Sequence, residues 1–328
     1  MPLISIIILN WNGKMFLNDC LLSLQAQTFK NFETILVDNG SADGSVEYLR
    51  ELFPWVRLIV LPDNIGFAEG NNRGLTLARG EYIVTLNNDT KVVPDFLAEL
   101  LHSISQNPET GMAAARMLNF FQADRIDSVG IYPTTAGIGS SLGIAETDHG
   151  QYDEQRDVFG ACAGAALYRR SMLEEIGFFD SDFFAYYEDL DLAWRARLNG
   201  WKAVTAPKAL VYHVHSATAG RMSNFTVYHT HRNKWYVIIK NWPLSLVLRY
   251  LPLIIAYDAA ALLLAAIKGK MIPALRARLH LLAEIPRLLR KRKKVMMLRK
   301  VTTNEIKLLL MPTSSPMKIL RRKLGSGI

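Results

Sequence analysis

Three carboxylates in one short stretch carry the first chemical signal. In Phe183-Phe-Ala-Tyr-Tyr-Glu-Asp-Leu-Asp-Leu-Ala-Trp-Arg-Ala-Arg-Leu-Asn-Gly200, the acids Glu188, Asp189 and Asp191 stand against a dense aromatic and apolar background. The stretch predicts a helix entered near Tyr187, with acids in its first turn, arginines in its last, and Gly200 just past its end. Asp191 has Arg195 four residues on. The corresponding partners of Glu188 and Asp189 are Leu192 and Ala193, so these two gain no ion pair along their own helix and stay available to a ligand. An acidic turn that only stabilises its helix is the other reading of the pair. Further candidates lie at the ends of apolar runs: Asp38 with Gly40 and Gly44, Asn64 with Gly66, and the turn Asn87-Asn-Asp-Thr90. A strand-end Asp such as Asp38 can accept from a base N–H or a ribose hydroxyl, and glycine lets backbone approach a phosphate. An Asp at a strand mouth can hold a divalent ion against a diphosphate. Each segment alone also reads as plain turn chemistry; together they describe a nucleotide-diphosphate site. His213 and His215 project to the same side of a strand of period two, and either could add a metal ligand.

The elements that must position these groups follow from periodicity. The run Leu3 to Leu9 is apolar and β-branched, as in a strand buried on both faces of a parallel sheet. It is too short and lacks the basic start of a signal peptide. A helix follows with Phe16, Leu17, Cys20, Leu21 and Leu24 at helical spacing. Phe32 to Val37, Val56 to Leu61 and Tyr82 to Leu86 are the next strands. Four strands alternating with helices predict a doubly wound α/β sheet, whose ligands sit at the carboxyl ends of its strands. Met117 to Val158 is expected to be an irregular excursion over the sheet mouth. Phe159 to Tyr168 is read as a small-residue strand with something packed close against it. Lys202 to Pro207 and Ala209 to His215 are expected as further strand segments.

The formal net charge of +8 over 328 residues hides a split. From Arg221 onward there are 22 Lys and Arg against three acids, so the preceding part is net acidic. That argues against a protein that coats nucleic acid throughout, and a basic, Leu-rich back third points to an anionic membrane surface. Its low aromatic content disfavours base stacking. Two cysteines, Cys20 and Cys162, make no disulfide framework and imply a reducing cytosol.

Taken together, Asn10-Trp-Asn-Gly13, Val37-Asp-Asn-Gly-Ser-Ala-Asp-Gly-Ser45, Asn64-Ile-Gly-Phe67, Leu86-Asn-Asn-Asp-Thr90, Glu188-Asp-Leu-Asp-Leu192 and Val211-Tyr-His213 resemble the successive motifs of family 2 glycosyltransferases, within them the bacterial rhamnosyltransferase-like branch. The resemblance runs from about Leu3 to about Trp242. It implies a GT-A fold, a Rossmann-like doubly wound mixed sheet, and inverting transfer of a sugar from a dTDP- or UDP-linked donor to a saccharide or lipid-linked acceptor. Rhamnose is the sugar it favours, with GlcNAc, Gal or Glc as alternatives. By the same resemblance, Asn10, Trp11, Asn12, Asp38, Asn64, Gly66, Asn87 and Asn88 line the donor site. Asp89 is the last acid of a DxD-type motif holding Mg²⁺ or Mn²⁺, with His213 as second ligand. Asp189 matches the catalytic base, and Glu188 hydrogen-bonds the acceptor or holds the helix start. The motif here reads Asn-Asn-Asp, leaving one charged ligand, so the substrate phosphates would hold much of the metal. A hydrolase with two carboxylates would need neither the nucleotide-type mouth nor this turn. A non-catalytic nucleotide-sugar-binding scaffold is the other alternative.

Residues 1–241 are therefore expected to form the GT-A domain and 242–328 a basic, amphipathic helical extension. Between Trp242 and Ile267 the chain is mostly apolar but carries Arg249 and Asp258, and Pro252 is expected to interrupt the helix. This favours a segment lying in the membrane plane over one that crosses it. The stretches 275–279, 286–294 and 318–323 interleave Leu and Ile with cations, as an amphipathic helix at an anionic headgroup layer would. The expected location is cytoplasmic, peripheral to the inner face of the cytoplasmic membrane.

Overall fold

The computed structural model describes residues 1–214 and 223–313; His215 and the cationic stretch 318–323 lie outside the described residues. The opening run forms β1 (Ile4–Asn10), and α1 (Lys14–Gln25), β2 (Phe32–Asn39), α2 (Ser45–Leu52), β3 (Arg57–Leu61), α3 (Phe67–Leu77) and β4 (Tyr82–Asn87) follow in the expected alternation. β1 lies between β2 and β4, parallel to both, and β2 pairs in parallel with β3. Helices cover both faces of this half, so Ile4, Ile6, Ile7 and Ile8 are all fully buried, which is why the run does not alternate with polar residues.

Beyond β4 come β5 (Thr90–Val92), α4 (Phe96–Ser105) and β6 (Thr110–Asn119). The sequence gives no strand signal for β6, because its centre, Met112-Ala-Ala-Ala115, lacks the β-branched residues that favour extended chain. Met117, expected to open the excursion, lies inside this strand. The excursion itself carries β7 (Ile126–Ser128), β8 (Ile131–Pro133), β9 (Gly139–Ser141) and β10 (Asp157–Val158). β11 (Ala165–Arg169) is antiparallel to both neighbours, β4 and β6. Only the second half of the expected strand from Phe159 to Tyr168 is therefore extended in the sheet. Its first half turns, and Gly160 there has no room for a Cβ, which would stand 2.3 Å from the Cβ of Ala193.

α5 (Arg170–Ile176), a 3-10 turn at Ser181–Phe183 and α6 (Glu188–Leu198) lead to β12 (Lys202–His213). The two segments expected there are one strand with an irregularity between Ala206 and Leu210. The main sheet runs β10-β12-β6-β11-β4-β1-β2-β3, with β5 on β12 and β7 on β6. It is a mixed, mostly parallel, doubly wound sheet of the GT-A kind.

α7 (Asn224–Asn241) closes the stretch expected to be the GT-A domain, and α8 (Leu244–Ile267), α9 (Met271–Met297) and α10 (Thr303–Leu308) make up the helical extension. α7 and α9 run side by side in the same direction: Tyr228 meets His280 at one end, and Arg292 donates to the carbonyl of Ile239 at the other, at 2.9 Å. Pro252 does not interrupt its helix; α8 continues through it, with Pro252 and Leu248 both exposed, so the lost backbone bond falls on the solvent side. Asp258 is no free charge either. It accepts from Trp235 Nε1 at 2.9 Å and pairs with Arg278 at 2.7 Å. The argument from Pro252 and Asp258 against a membrane crossing thus loses its force, and α8 is long and apolar enough to cross a membrane by length and composition. The basic residues are divided. Lys291 pairs with Asp180 and Asp182 at 2.5 and 2.6 Å, Arg287 pairs with Asp182, and Lys300 pairs with Glu175, so part of the cationic surface is engaged with the preceding domain.

Candidate active site

Sheet register brings the polar motifs together. In the parallel β1–β2 pair Asn10 stands opposite Asp38, and in β1–β4 Leu9 stands opposite Asn87, so three chain-distant turns open at one edge. Asn10 Nδ2 donates to Asp38 Oδ2 at 2.9 Å, and Asn88 Nδ2 to Asn10 Oδ1 at 2.6 Å. Asp38 is fully buried, and its Oδ1 accepts from the Ser41 amide at 2.9 Å. Asn12, at φ 49°, accepts from the Ala42 amide at 2.8 Å, while Trp11 beside it is exposed. Asn64 Oδ1 accepts from Asn39 Nδ2 and from the Gly66 amide, both at 2.9 Å, which shapes the entry to α3. Gly66, at φ +89°, is needed there: a Cβ would lie 2.7 Å from both the ring and the carbonyl of Phe184.

That contact joins the polar strand mouth to the loop bearing the acids. The Ala68 amide donates to the Phe184 carbonyl at 3.1 Å. From Phe184 the chain passes Tyr186 and Tyr187 into α6, and all three have positive φ, between 62° and 71°. Bulky residues in this region cost about 1–3 kcal/mol each and persist only where their surroundings dictate it. α7 supplies those surroundings. Asn233, fully buried, has its Nδ2 within 2.7–2.9 Å of the carbonyls of Phe183, Ala185 and Tyr186, and Arg232 donates to those of Asp182 and Phe183.

The loop delivers Glu188 and Asp189 into the first turn of α6, as the sequence predicts. Asp191 serves the structure: fully buried, it pairs with Arg195 at 2.9 Å and Lys240 at 2.8 Å and accepts from Asn241 at 2.7 Å. Its neighbours differ. Glu188 is 6% exposed and its Oε2 has no hydrogen-bond partner among the described residues. Burial, reinforced by the adjacent Asp189 charge, holds its carboxyl well above the usual carboxylate range. Asp189 is half-buried; its Oδ1 accepts from the Leu190 amide at 2.7 Å and its Oδ2 from the Ala163 amide at 3.4 Å. Burial pushes it up to about 6, against the lowering effect of those amides. The next residue, Gly164, accepts at its carbonyl from the Asn87 amide at 2.9 Å, so the acid pair sits one turn away from Asn87-Asn-Asp. A carboxylate near 6 is mostly ionised at neutral pH, yet basic enough to accept a proton from a hydroxyl nucleophile.

β12 brings His213 opposite Thr90 of β5, and His213 Nε2 lies 3.3 Å from Asp89 Oδ1 and 3.3 Å from Asn87 Nδ2. Its Nδ1 is 2.7 Å from Asp127 Oδ2. Burial lowers the affinity of this imidazole for a proton, but Asp127 and Asp89 outweigh it and raise the pKa to about 9. A place that favours positive charge so strongly, with a carboxylate orienting a histidine toward a second carboxylate, fits a divalent cation. Among the described residues no group of three or more His, Cys, Asp or Glu forms a complete cage. Such an ion would rely on Asp89, His213 and oxygens of its substrate.

The sequence reading did not find Asp127, Arg232 or Asn233. Asp127 lies in a three-residue strand with no local pattern. Arg232 and Asn233 did leave a trace, since α7 carries polar residues on all sides, and such a helix needs polar partners if it is to be buried.

This mixed sheet, with its polar strand mouth beside the carboxylate pair of α6, has the architecture of the GT-A fold. The family model described as glycosyl transferase family 2 matches residues 5–177, and the chain belongs to that family. An uncharacterized glycosyltransferase of Haemophilus influenzae is 39% identical over 110 residues, which are 33% of this chain and 44% of that protein. A protein of Sinorhizobium fredii is 29% identical over 231 residues, covering 67% of this chain and 25% of its own length. The N-acetylglucosaminyl-diphospho-decaprenol L-rhamnosyltransferase of Mycobacterium tuberculosis is 26% identical over 61% of this chain and 72% of that protein. Among solved structures, GalNAc-T7 with UDP, GalNAc and Mn²⁺ aligns with a TM-score of 0.63 at 15% identity, over 80% of this chain and 51% of that one. The mannosyltransferase PcManGT of Pyrobaculum calidifontis, in complex with GDP-Man and Mn²⁺, aligns at 0.52 and 17% identity over 99% and 80%. The structural likenesses establish the fold.

Proposed function

We propose that this protein is an inverting glycosyltransferase that moves a sugar, rhamnose in the favoured case, from a dTDP- or UDP-linked donor to a hydroxyl of a cell-envelope saccharide or lipid-linked acceptor at the cytoplasmic face of the membrane. The observation that carries the reading is the half-buried Asp189, raised to about 6 and held one turn from Asn87-Asn88-Asp89. The name of the Mycobacterium tuberculosis relative supports the rhamnose donor and the lipid-linked acceptor. The exposed apolar side of α8, and the cations of α9 that have no acid partner among the described residues, support attachment to an anionic membrane surface.

In this mechanism Asn10, Trp11, Asn12, Asp38, Asn64 and Gly66 shape the place of the nucleoside, and Asn87 and Asn88 face its diphosphate. Asp189 accepts the proton of the acceptor hydroxyl as the oxygen attacks the anomeric carbon from the side opposite the leaving nucleotide, so one displacement inverts that carbon. Glu188, whose carboxyl burial holds above the usual range, hydrogen-bonds the acceptor or holds the helix start. Asp89 and His213 would hold Mg²⁺ or Mn²⁺, which when bound neutralises charge gathering on the diphosphate.

The test is a panel of nucleotide-sugars scored for protection against thermal unfolding with Mn²⁺ present, because a ligand bound only by the folded state raises stability by mass action. A dTDP- or UDP-sugar should raise Tm, and that sugar should then be transferred to a lipid-linked saccharide. If no nucleotide-sugar in the panel protects, the reading fails.

A further inference from the structure

Away from the strand mouth, a cavity of about 440 Å³ opens where the first turns of α7 and α9 lie side by side. Its lining is Asn224, Phe225, Tyr228, Ile272, Pro273 and Arg276. The volume falls within the range of small-molecule sites, about 300–1,000 Å³. Four of the six lining residues described are apolar or aromatic, which disfavours a free, strongly hydrated anion. Among the described residues Arg276 is the only charged one in the lining, and it has no acid partner there. Lys268 and Lys270, in the turn just before α9, likewise have none. The cavity therefore offers a carbon-rich slot with the Arg276 cation in its lining, the complement of an amphiphile whose apolar chain ends in a phosphate.

Two continuities fix its orientation. Inward, the Phe225 ring lies 6.1 Å from that of Tyr186 and 5.9 Å from that of Phe184, both in the strained loop that carries the acids. Tyr186 precedes Asp189 by three residues, at most about 11 Å of chain. Outward, Ile272 is 81% exposed, and Ile267, Leu275 and Leu279 continue the exposed apolar surface along α8 and α9, a path on which a long hydrocarbon chain could lie.

We propose that this slot binds the phosphate end and first isoprene units of a polyprenyl-phosphate-linked acceptor. This rests on the transferase reading and adds the place where the lipid is gripped.

Farnesyl diphosphate, titrated calorimetrically with EDTA present and no donor, serves as the probe. It should bind saturably, whereas inorganic diphosphate and farnesol should each bind at least about tenfold more weakly. Arg276→Glu, at an exposed position, should weaken farnesyl diphosphate about tenfold or more through loss of a charge-assisted contact. Phe225→Ala should weaken it several-fold, and Asp89→Ala should leave it unchanged. Equal binding of inorganic diphosphate, no change in Arg276→Glu, or loss of binding in Asp89→Ala would each overturn the proposal. No turnover enters this measurement, so a protein that binds the probe yet transfers no sugar refutes the transferase reading separately.

Discussion

Replacing Asp189 by Asn separates a catalytic from a structural carboxylate because the two roles predict opposite effects on stability. Burial raises the Asp189 pKa from 3.8 to about 6. The folded state therefore binds this proton more tightly than the unfolded chain does. The associated stability is fully present below pH 3.8 and is lost as pH rises through about 6. Above that range the ionised carboxylate costs about 3 kcal/mol, at about 1.4 kcal/mol for each tenfold change in acidity. Asparagine carries no charge and keeps an oxygen for the Leu190 amide, but turns an N–H₂ toward the Ala163 amide, which takes back about 1 kcal/mol. The net expectation at pH 7.5 is a gain of about 2 kcal/mol. With an unfolding entropy of about 2.1 cal/mol/K per residue over this chain, that is a Tm increase of about 3 °C. Turnover should fall by about 10²–10⁴-fold, because the amide cannot accept the hydroxyl proton, while donor affinity stays within about twofold. The assays are scanning calorimetry at pH 5 and 7.5 and initial rates with saturating donor. The Tm gain should shrink at pH 5, and wild-type turnover should rise with pH through about 6. A variant that keeps turnover within threefold, or one whose Tm drops at pH 7.5, would refute the assignment.

Asp89→Ala should abolish the Mn²⁺-dependent part of donor binding, measured by titration with and without EDTA, while the ligand-free protein still folds, with a Tm lowered by loss of the buried Asp89–His213 pair. Asn233→Ala should cost about 2–4 kcal/mol in denaturant unfolding, because up to three buried carbonyls lose their donor, and should lower kcat more than it raises KM for the donor. High salt or alkaline carbonate should release the protein from membranes if α8 lies along the surface, and retention through both washes would show that α8 crosses it.

The parallel half of the sheet and its motif-bearing turns were legible because burial on both faces leaves unbroken apolar runs, each closed by polar residues. Glu188 and Asp189 were legible as two acids without helix partners. β6 was not, since its alanines are extended by their neighbours β11 and β12 and have no propensity of their own. The histidine's orientation was equally hidden, because Asp127 reaches His213 across 86 residues of sequence. Pro252 and Asp258 misled for a related reason: each is a helix breaker or a buried charge only until a neighbouring face is known, and both are accommodated here by where they point.

The ion pairs from Lys291 to Asp180 and Asp182 bear on when the molecule can become active during its synthesis. They span more than a hundred residues of chain, and with Asn233 they place the brace of the acid loop well downstream of the loop itself. A ribosome-bound chain that has completed its sheet still lacks the helices that hold Phe184, Tyr186 and Tyr187 in their unfavourable conformation. Long-range contacts of this kind form late and slowly. Competence for the proposed chemistry is thereby deferred until the last third of the polypeptide has emerged and docked, the same segment that carries the long apolar helix α8.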